Sequence, residues 1–171
     1  EELLAAAESG ELDTDEGVAA QAQRLLDSER SRAGLRAFFS DMLQLQKLDT
    51  LSKDPTIFVH MSDEVGPSAK EETLLGLEHL VFAEDDDFRH ILTTQRTFIN
   101  RKLAAIYNVP APVRDGFGEA LLPADAPRRG LLGHTSVLAM HSHPTHNSPT
   151  LRGKFIRTTL LCHVIPPPPA D

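Results

Sequence analysis

The sequence has no tryptophan, one tyrosine and one cysteine, and charged residues interrupt every apolar stretch before it is long enough to span a membrane. A single cysteine cannot form a disulfide within the chain, and we expect Cys162 to be a buried, unreactive thiol. The first residues have neither the basic start nor the apolar run of a signal peptide. They also lack an initiating methionine and open inside a helix-like run, so we expect a fragment of a longer or processed polypeptide.

Motifs that would name a reaction are missing as well. The sequence contains no CxxCH, GxGxxG, GxSxG or HExxH pattern, and no GxxxxGK followed by Ser or Thr. These absences argue against covalent haem attachment, a dinucleotide-binding fold, a hydrolase elbow, a simple zinc protease and a P-loop. Covalent attachment of haem c ordinarily needs two thioether links, which one cysteine cannot supply. The residues alone therefore identify no reaction.

The charge is divided unequally along the chain. Residues 1–100 hold 9 Lys and Arg against 21 Asp and Glu, whereas residues 101–171 hold 8 against 4, within a formal net charge of −8. The two parts should either attract each other or bind separate partners. Nucleic-acid binding requires clustered basic residues and stacking aromatic side chains, so we expect no nucleic-acid partner.

Apolar residues recur at helical spacing in at least four segments, which predicts a mainly α, irregular multi-helix domain with little or no sheet. We expect Leu35, Phe39, Leu77 and Val81 to be buried. The second helix carries its apolar residues on one face, at Val18, Ala22, Leu25 and Leu26. Helices are expected at about residues 3–7, 14–26, 31–47, 62–82, 88–92, 100–107 and 149–162, with an extended stretch at 97–99.

The composition divides the chain into three parts, which we expect to pack as one unit. Residues 1–108 form an acidic helical part, residues 109–130 a long Pro/Gly loop or hinge, and residues 131–171 a basic helical part. The last part ends in an extended polyproline tail at Pro166–Pro169. The acidic run at 84–87 is interpreted as a solvated turn before a helix rather than as a metal site.

Three histidines, His141, His143 and His146, lie within six residues and are candidate zinc or copper ligands. Their spacing does not match the helical pair of a zinc protease, no acidic residue lies among them, and Pro144 places them in a loop. The alternative, that they are exposed or hydrogen-bonded loop residues, is favoured.

The segment that begins at Ser148-Pro149 combines a helix cap with two cations, Arg152 and Lys154. Free N–H groups at such a helix start can hold a carboxylate or phosphate. The favoured alternative is a structural bridge, in which Arg152 pairs with a buried acid and Gly153 permits close helix packing. Gly130 is also expected to have a structural role.

Two groups of residues carry a resemblance that covers nearly the whole chain. The C-terminal part resembles family 1588 of the domains of unknown function, through RRGLLGHTSVL at 128–138 and through Ser148-Pro149-x-x-Arg152-Gly153-Lys154 followed by the proline run. The upstream part is similar to family 1592, through EELL at 1–4, FSDML at 39–43, Glu72 with its Leu-rich helix, and TFINxxLAxxY at 97–107. Both families occur in cytochrome-associated proteins of the planctomycete and myxobacterial type.

The resemblance implies a periplasmic or otherwise extracytoplasmic, redox-associated assembly in which a haem c segment with CxxCH follows the proline tail. It implies neighbouring, haem-bearing domains or chains as partners, and it carries no known reaction. We therefore expect a noncatalytic helical scaffold or interaction module that binds no haem covalently, and whether the whole protein is an enzyme stays open. The alternative is part of an oxidoreductase whose His-rich loop contacts a haem or metal supplied by a neighbour.

Overall fold

The computed structural model describes residues 1–84 and 87–166. The helices are α1 Glu2–Glu8, α2 Asp15–Leu26, α3 Ser31–Met42, α4 Val65–His79, α5 Arg101–Tyr107, α6 Gly130–Gly133, α7 Thr135–Met140 and α8 Pro149–Phe155. The strands are β1 Arg96–Ile99 and β2 Gly118–Leu121. Short 3-10 turns occupy Glu11–Asp13, Leu45–Thr50 and Phe88–Leu92, and π turns occupy Leu80–Glu84 and Ile156–Leu160. The prediction of a mainly α, multi-helix chain is confirmed, and no helix in the described part could cross a membrane.

Side-chain caps begin three of the helices where the sequence predicts them. The hydroxyl of Thr14 accepts from the amide of Gly17 at the start of α2. The side chain of Asn100 accepts from the amides of Lys102 and Leu103 at the start of α5. At α8, the Ser148 side chain caps a helix whose first turn contains a proline. Each cap satisfies backbone donors that a helix cannot pair internally.

The chain divides into two compact units, Glu1–Phe38 and Phe39–Asp171. In the first unit, Gly17 lies so close to the preceding 3-10 turn that an added Cβ would stand 1.9 Å from the carbonyl oxygen of Glu11. The apolar face predicted for α2 does not form a core, because Val18, Leu25 and Leu26 are all exposed.

The second unit is built around α4, which packs against the Leu45–Thr50 turn, β1, α5 and α7. Ala69, Leu74 and Leu77 of α4 are buried together with Leu45 and Leu48 of that turn. Strands β1 and β2 pair antiparallel, with Ile99 opposite Gly118 and Arg96 opposite Leu121. The extended stretch predicted at 97–99 is therefore confirmed, whereas β2 lies within the segment predicted to be a loop.

Several burial predictions are wrong in this fold. Leu77 is buried as expected, but Leu35, Phe39 and Val81 are only partly buried. Phe39 stacks on the exposed ring of Phe88, with 5.8 Å between ring centroids, so it lies at the edge of the core. Val81 lies in the π turn after α4, where the helical repeat that defined the predicted stripe no longer holds.

The C-terminal segment also differs from the prediction. The α-helix ends at Phe155 rather than near Cys162, and a π turn follows it. Cys162 is exposed, so the prediction of a buried thiol is wrong, because the chain has left the helix and turns there with φ of +53°. Pro166 is exposed, and the rest of the predicted polyproline tail lies outside the described residues, as do the two central acids of the run at 84–87.

Candidate functional site

A carboxylate is enclosed in the second unit. Glu72 of α4 is fully buried, and its Oε1 accepts hydrogen bonds from the hydroxyls of Thr97 at 2.7 Å and Tyr107 at 2.5 Å. The backbone amide of Thr135 donates to the Tyr107 oxygen at 3.0 Å. The other carboxylate oxygen, Oε2, is buried and has no hydrogen-bond partner among the described residues. Residues from α4, β1, α5 and α7 therefore meet around one acid.

A second polar cluster begins at the next residue of α4. The Thr73 hydroxyl donates to the carbonyl of Ala69 and lies 3.2 Å from Nδ1 of His134 and 2.6 Å from the hydroxyl of Ser136. Thr73, His134 and Ser136 are all buried. We call the two clusters together the buried network; its members are Glu72, Thr73, Thr97, Tyr107, His134, Thr135 and Ser136.

Gly130 allows the chain to bring α7 to this position. Its backbone has φ of +52°, and its amide donates to the carbonyl of Thr94 at 2.8 Å. An added Cβ would stand 2.3 Å from the carbonyl carbon of Leu92, a distance at which something must shift. Only glycine adopts this backbone conformation at such close approach without strain. The short helix α6 then starts beside the Phe88–Leu92 turn and leads directly to His134.

The interior shifts the protonation of two members of the buried network toward their neutral forms. Burial, and secondly the charge of Glu72 and its hydrogen bond, raise the pKa of Tyr107 well above the usual phenol value. Burial lowers the pKa of His134, against the smaller opposing effect of Glu72. Tyr107, as a neutral phenol, and His134, as a neutral imidazole, are each hydrogen-bonded to other groups of the interior. Such an arrangement beside a buried acid is typical of a network that stabilises the fold.

A groove of about 710 Å³ lies next to the buried network. Thr135 belongs to both, since it also lines the groove. Arg128 lines the groove beside the network, with its guanidinium carbon 4.9 Å from the centroid of the Tyr107 ring. The groove walls are largely apolar, and among the residues that form them are Phe58, Met61, Val65, Ile106 and Leu138. A volume of this size is in the range of small-molecule sites, roughly 300–1,000 Å³.

The polar lining of this groove is basic. Lys53, Arg128 and Arg152 contribute cationic side chains, and no Asp or Glu is among the lining residues that the structure describes. This is unusual for a chain with a formal net charge of −8. We call this feature the cationic groove. Its charge favours an anion over a cation of similar size.

The three candidate histidine ligands lie in different surroundings. The His141 ring stacks on Phe155, with 4.3 Å between centroids, and burial, with a smaller effect of Lys47, lowers its pKa. His143 and His146 form a tilted pair with 4.5 Å between centroids, and His146 reaches the cationic groove. Within the described residues, no group of three or more His, Cys, Asp or Glu side chains is placed to hold a metal ion.

Lys53 holds the histidine loop in place. Its Nζ donates to the carbonyl of Ser142 at 2.9 Å, to the Ser142 hydroxyl at 3.0 Å and to the carbonyl of His143 at 3.1 Å. The amide of Asp54 donates to the carbonyl of Pro144 at 3.0 Å. Burial lowers the pKa of Lys53. Because all three ammonium donors are used within the chain, Lys53 contributes charge to the groove but no free donor.

The residues of the Ser148–Lys154 segment are separated by the fold. The Ser148 hydroxyl is buried and caps α8, whereas Lys154 is exposed. The Arg152 side chain is partly buried in the groove and has no ion pair with any residue of the described part, so the expected bridge to a buried acid is not found there. The expected close packing at Gly153 is wrong, because an added Cβ would meet no atom within 4 Å among the described residues.

Family comparisons account for both parts of the chain. The family described as PSD4, protein of unknown function (DUF1592), matches residues 1–109. The chain belongs to the DUF1592 family. A second family, PSCyt3, protein of unknown function (DUF1588), matches residues 128–171. Both were expected, in this order, from the sequence. They are named as cytochrome-associated families, and neither a curated protein nor a solved structure shows significant similarity to the chain.

The buried network joins the DUF1592 segment to the DUF1588 segment. Glu72, Thr97 and Tyr107 belong to the first, and His134 and Ser136 belong to the second. Helical periodicity does not reveal the network, because it identifies only the apolar face of a helix. The signal that could have found it is the resemblance itself, since Glu72, Thr97 and Tyr107 all lie in the stretches that carry the likeness to DUF1592.

We predict that stability falls below neutral pH partly because His134 is held neutral. The pKa of His134 is lowered in the fold from the ordinary imidazole value of 6.5, so the unfolded chain binds a proton first as the pH falls below that value. Between pH 7 and pH 5.5 this costs at most about 1 kcal/mol of unfolding free energy. Urea unfolding at both pH values should therefore show a smaller pH dependence for His134→Gln than for the parent chain. The exposed His163→Gln variant is the control, and equal pH dependence in all three proteins would contradict the prediction.

Proposed function

We propose that this chain is a noncatalytic helical scaffold within a larger, extracytoplasmic protein associated with c-type cytochromes. The observation that carries the proposal is the buried network. The acid and the imidazole that could act in acid–base chemistry are buried, the phenol is partly buried, and all three are hydrogen-bonded to other groups of the interior. They join two segments into one interior instead of facing a substrate. Such a network serves to fix one arrangement of the fold.

The partners of this scaffold are neighbouring domains or chains that carry haem. The names of the two families support an association with cytochromes. Covalent attachment within these 171 residues is disfavoured by the single cysteine and the lack of CxxCH. The haem c is therefore expected in an adjacent segment, and maturation of c-type cytochromes places the protein in the periplasm or an equivalent compartment.

The test is expression of the chain with and without the segment that follows it in the full gene, in a host that matures c-type cytochromes. The short chain should be colourless and have the mass of its polypeptide. The long chain should carry covalent haem, visible by haem staining and by its absorption spectrum. A haem-stained short chain would overturn the proposal, and so would a colourless long chain whose added segment contains an intact CxxCH.

A second candidate function is part of an oxidoreductase in which the histidine loop contacts a haem or metal supplied by a neighbour. The observation that favours it is that His146 is exposed and reaches the groove, beside His143. Neutral imidazole can ligate iron or donate a hydrogen bond to a propionate. If so, His146→Ala in the haem-bearing long chain should shift the absorption bands or the reduction potential, whereas the exposed His163→Ala should leave both unchanged.

A further inference from the structure

The cationic groove has the form of a ligand site that the scaffold role does not require. Its walls combine apolar side chains, such as Phe58, Val65 and Leu138, with three cations and, among the described residues, no acid. Apolar walls with a few placed polar groups are typical of sites for small organic molecules. We propose that the cationic groove binds a small organic anion with an apolar body, held by its carboxylate at Arg152 and Arg128.

Arg152 is the group that the ligand's carboxylate would meet. Its side chain is partly buried in the groove, and no residue of the described part forms an ion pair with it. A guanidinium presents paired donors that match the two oxygens of a carboxylate. Partial burial reduces the screening by water, so an added carboxylate would bind more strongly here than at an exposed arginine.

Arg128 supplies a second cation to the lining of the groove. Its guanidinium is positioned over the Tyr107 ring, and one of its nitrogens lies 3.5 Å from the Thr135 hydroxyl. Stacking on a ring that is itself fixed by Glu72 and Thr135 limits the conformations of Arg128. The arginine is therefore already ordered before a ligand binds, which lowers the entropic cost of binding.

The positive charge of the groove lining favours an anionic ligand, and the apolar walls favour a ligand with an apolar body. Lys53 adds positive potential although its donors are already used by the histidine loop. An anion without an apolar body would leave the walls exposed to water, and a cation with such a body would be repelled. Octanoate satisfies both requirements, which makes it a suitable probe.

The experiment is isothermal titration calorimetry of the chain with octanoate, 1-octanol, octylammonium and acetate. Octanoate should bind most tightly, and the other three should each bind at least about tenfold more weakly, because each lacks one of the two features. Equal affinity for 1-octanol would show that the charge is irrelevant. Equal affinity for octylammonium or for acetate would equally overturn the proposal.

Two variants locate the bound octanoate. Arg152→Gln should weaken octanoate binding about tenfold, because charge-assisted hydrogen bonds to the carboxylate are lost. Lys154→Gln removes the same charge from the same helix, but at an exposed residue outside the groove, and should leave the affinity unchanged.

Ala139→Phe, which places a ring in the groove, should also weaken octanoate binding, with circular dichroism to verify that the variant folds. Unchanged affinity in a folded Arg152→Gln protein would overturn the assignment. These outcomes do not depend on whether a haem-bearing segment follows the chain.

Discussion

Replacing Glu72 by alanine is expected to lower the free energy of unfolding by about 3–5 kcal/mol. The Thr97 and Tyr107 hydroxyls would lose their shared acceptor inside the fold, where water does not replace it. The removed side chain would also leave a cavity beside His134 and Thr73. Urea unfolding monitored by circular dichroism measures the loss.

Glu72→Gln and Glu64→Ala are the matched comparisons for this variant. Glutamine keeps one acceptor oxygen and the shape of the side chain, so it should destabilise less than alanine. Glu64 pairs with Lys102 at an exposed site, and Glu64→Ala should cost about 1 kcal/mol or less. If Glu72→Ala lost no more than Glu64→Ala, the buried network would not stabilise the fold.

Replacing Gly130 by alanine is expected to have the second largest effect, a loss of about 2–5 kcal/mol. The new Cβ would require a left-handed backbone conformation in a residue that disfavours it, and it would press on the backbone of Ile91 and Leu92. The Phe88–Leu92 turn, α6 or both must then move, which displaces His134 and Ser136 from Thr73. The same unfolding measurement applies.

Gly153→Ala is the control, because both variants add one methyl group to a glycine of the second unit. Gly153 lies within α8 and faces open space among the described residues. Alanine there should raise the unfolding free energy by roughly 0.5–1 kcal/mol, as expected from helix propensity. A Gly130→Ala protein as stable as the parent would show that the close approach to Leu92 is not a constraint.

The sequence predicts local features of this chain better than long-range ones. The start of α5 near residue 100 and the cap of α8 at Ser148 are both predicted correctly, because the chemistry of a helix start depends on residues within one turn. Strand β2 was missed because its partner, β1, lies more than eighteen residues away and because prolines and glycines surround it. Strand pairing of this kind depends on tertiary contacts that periodicity does not report.

For the candidate site, too, the sequence predicts local features better than long-range ones. The cations Arg152 and Arg128 are visible in the sequence, but only the fold brings them to one groove, whose lining holds no acid from residues 1–84 and 87–166. The three histidines are neighbours in sequence, yet His141 packs on Phe155 while His143 and His146 face each other. Burial of Glu72 could not be predicted from periodicity, because α4 is enclosed on more sides than the single stripe that the pattern indicates.

The hydrogen bond from the Thr135 amide to Tyr107 and those that join Thr73 to His134 and Ser136 cross from one family segment to the other. A gene that encoded either segment alone would produce a polypeptide in which every group that takes part in these hydrogen bonds lacked its partner. Recombination that exchanged one segment for that of a distant relative would have to preserve complementary partners on both sides. The two segments are therefore expected to be inherited, duplicated and transferred between genomes as a single cassette.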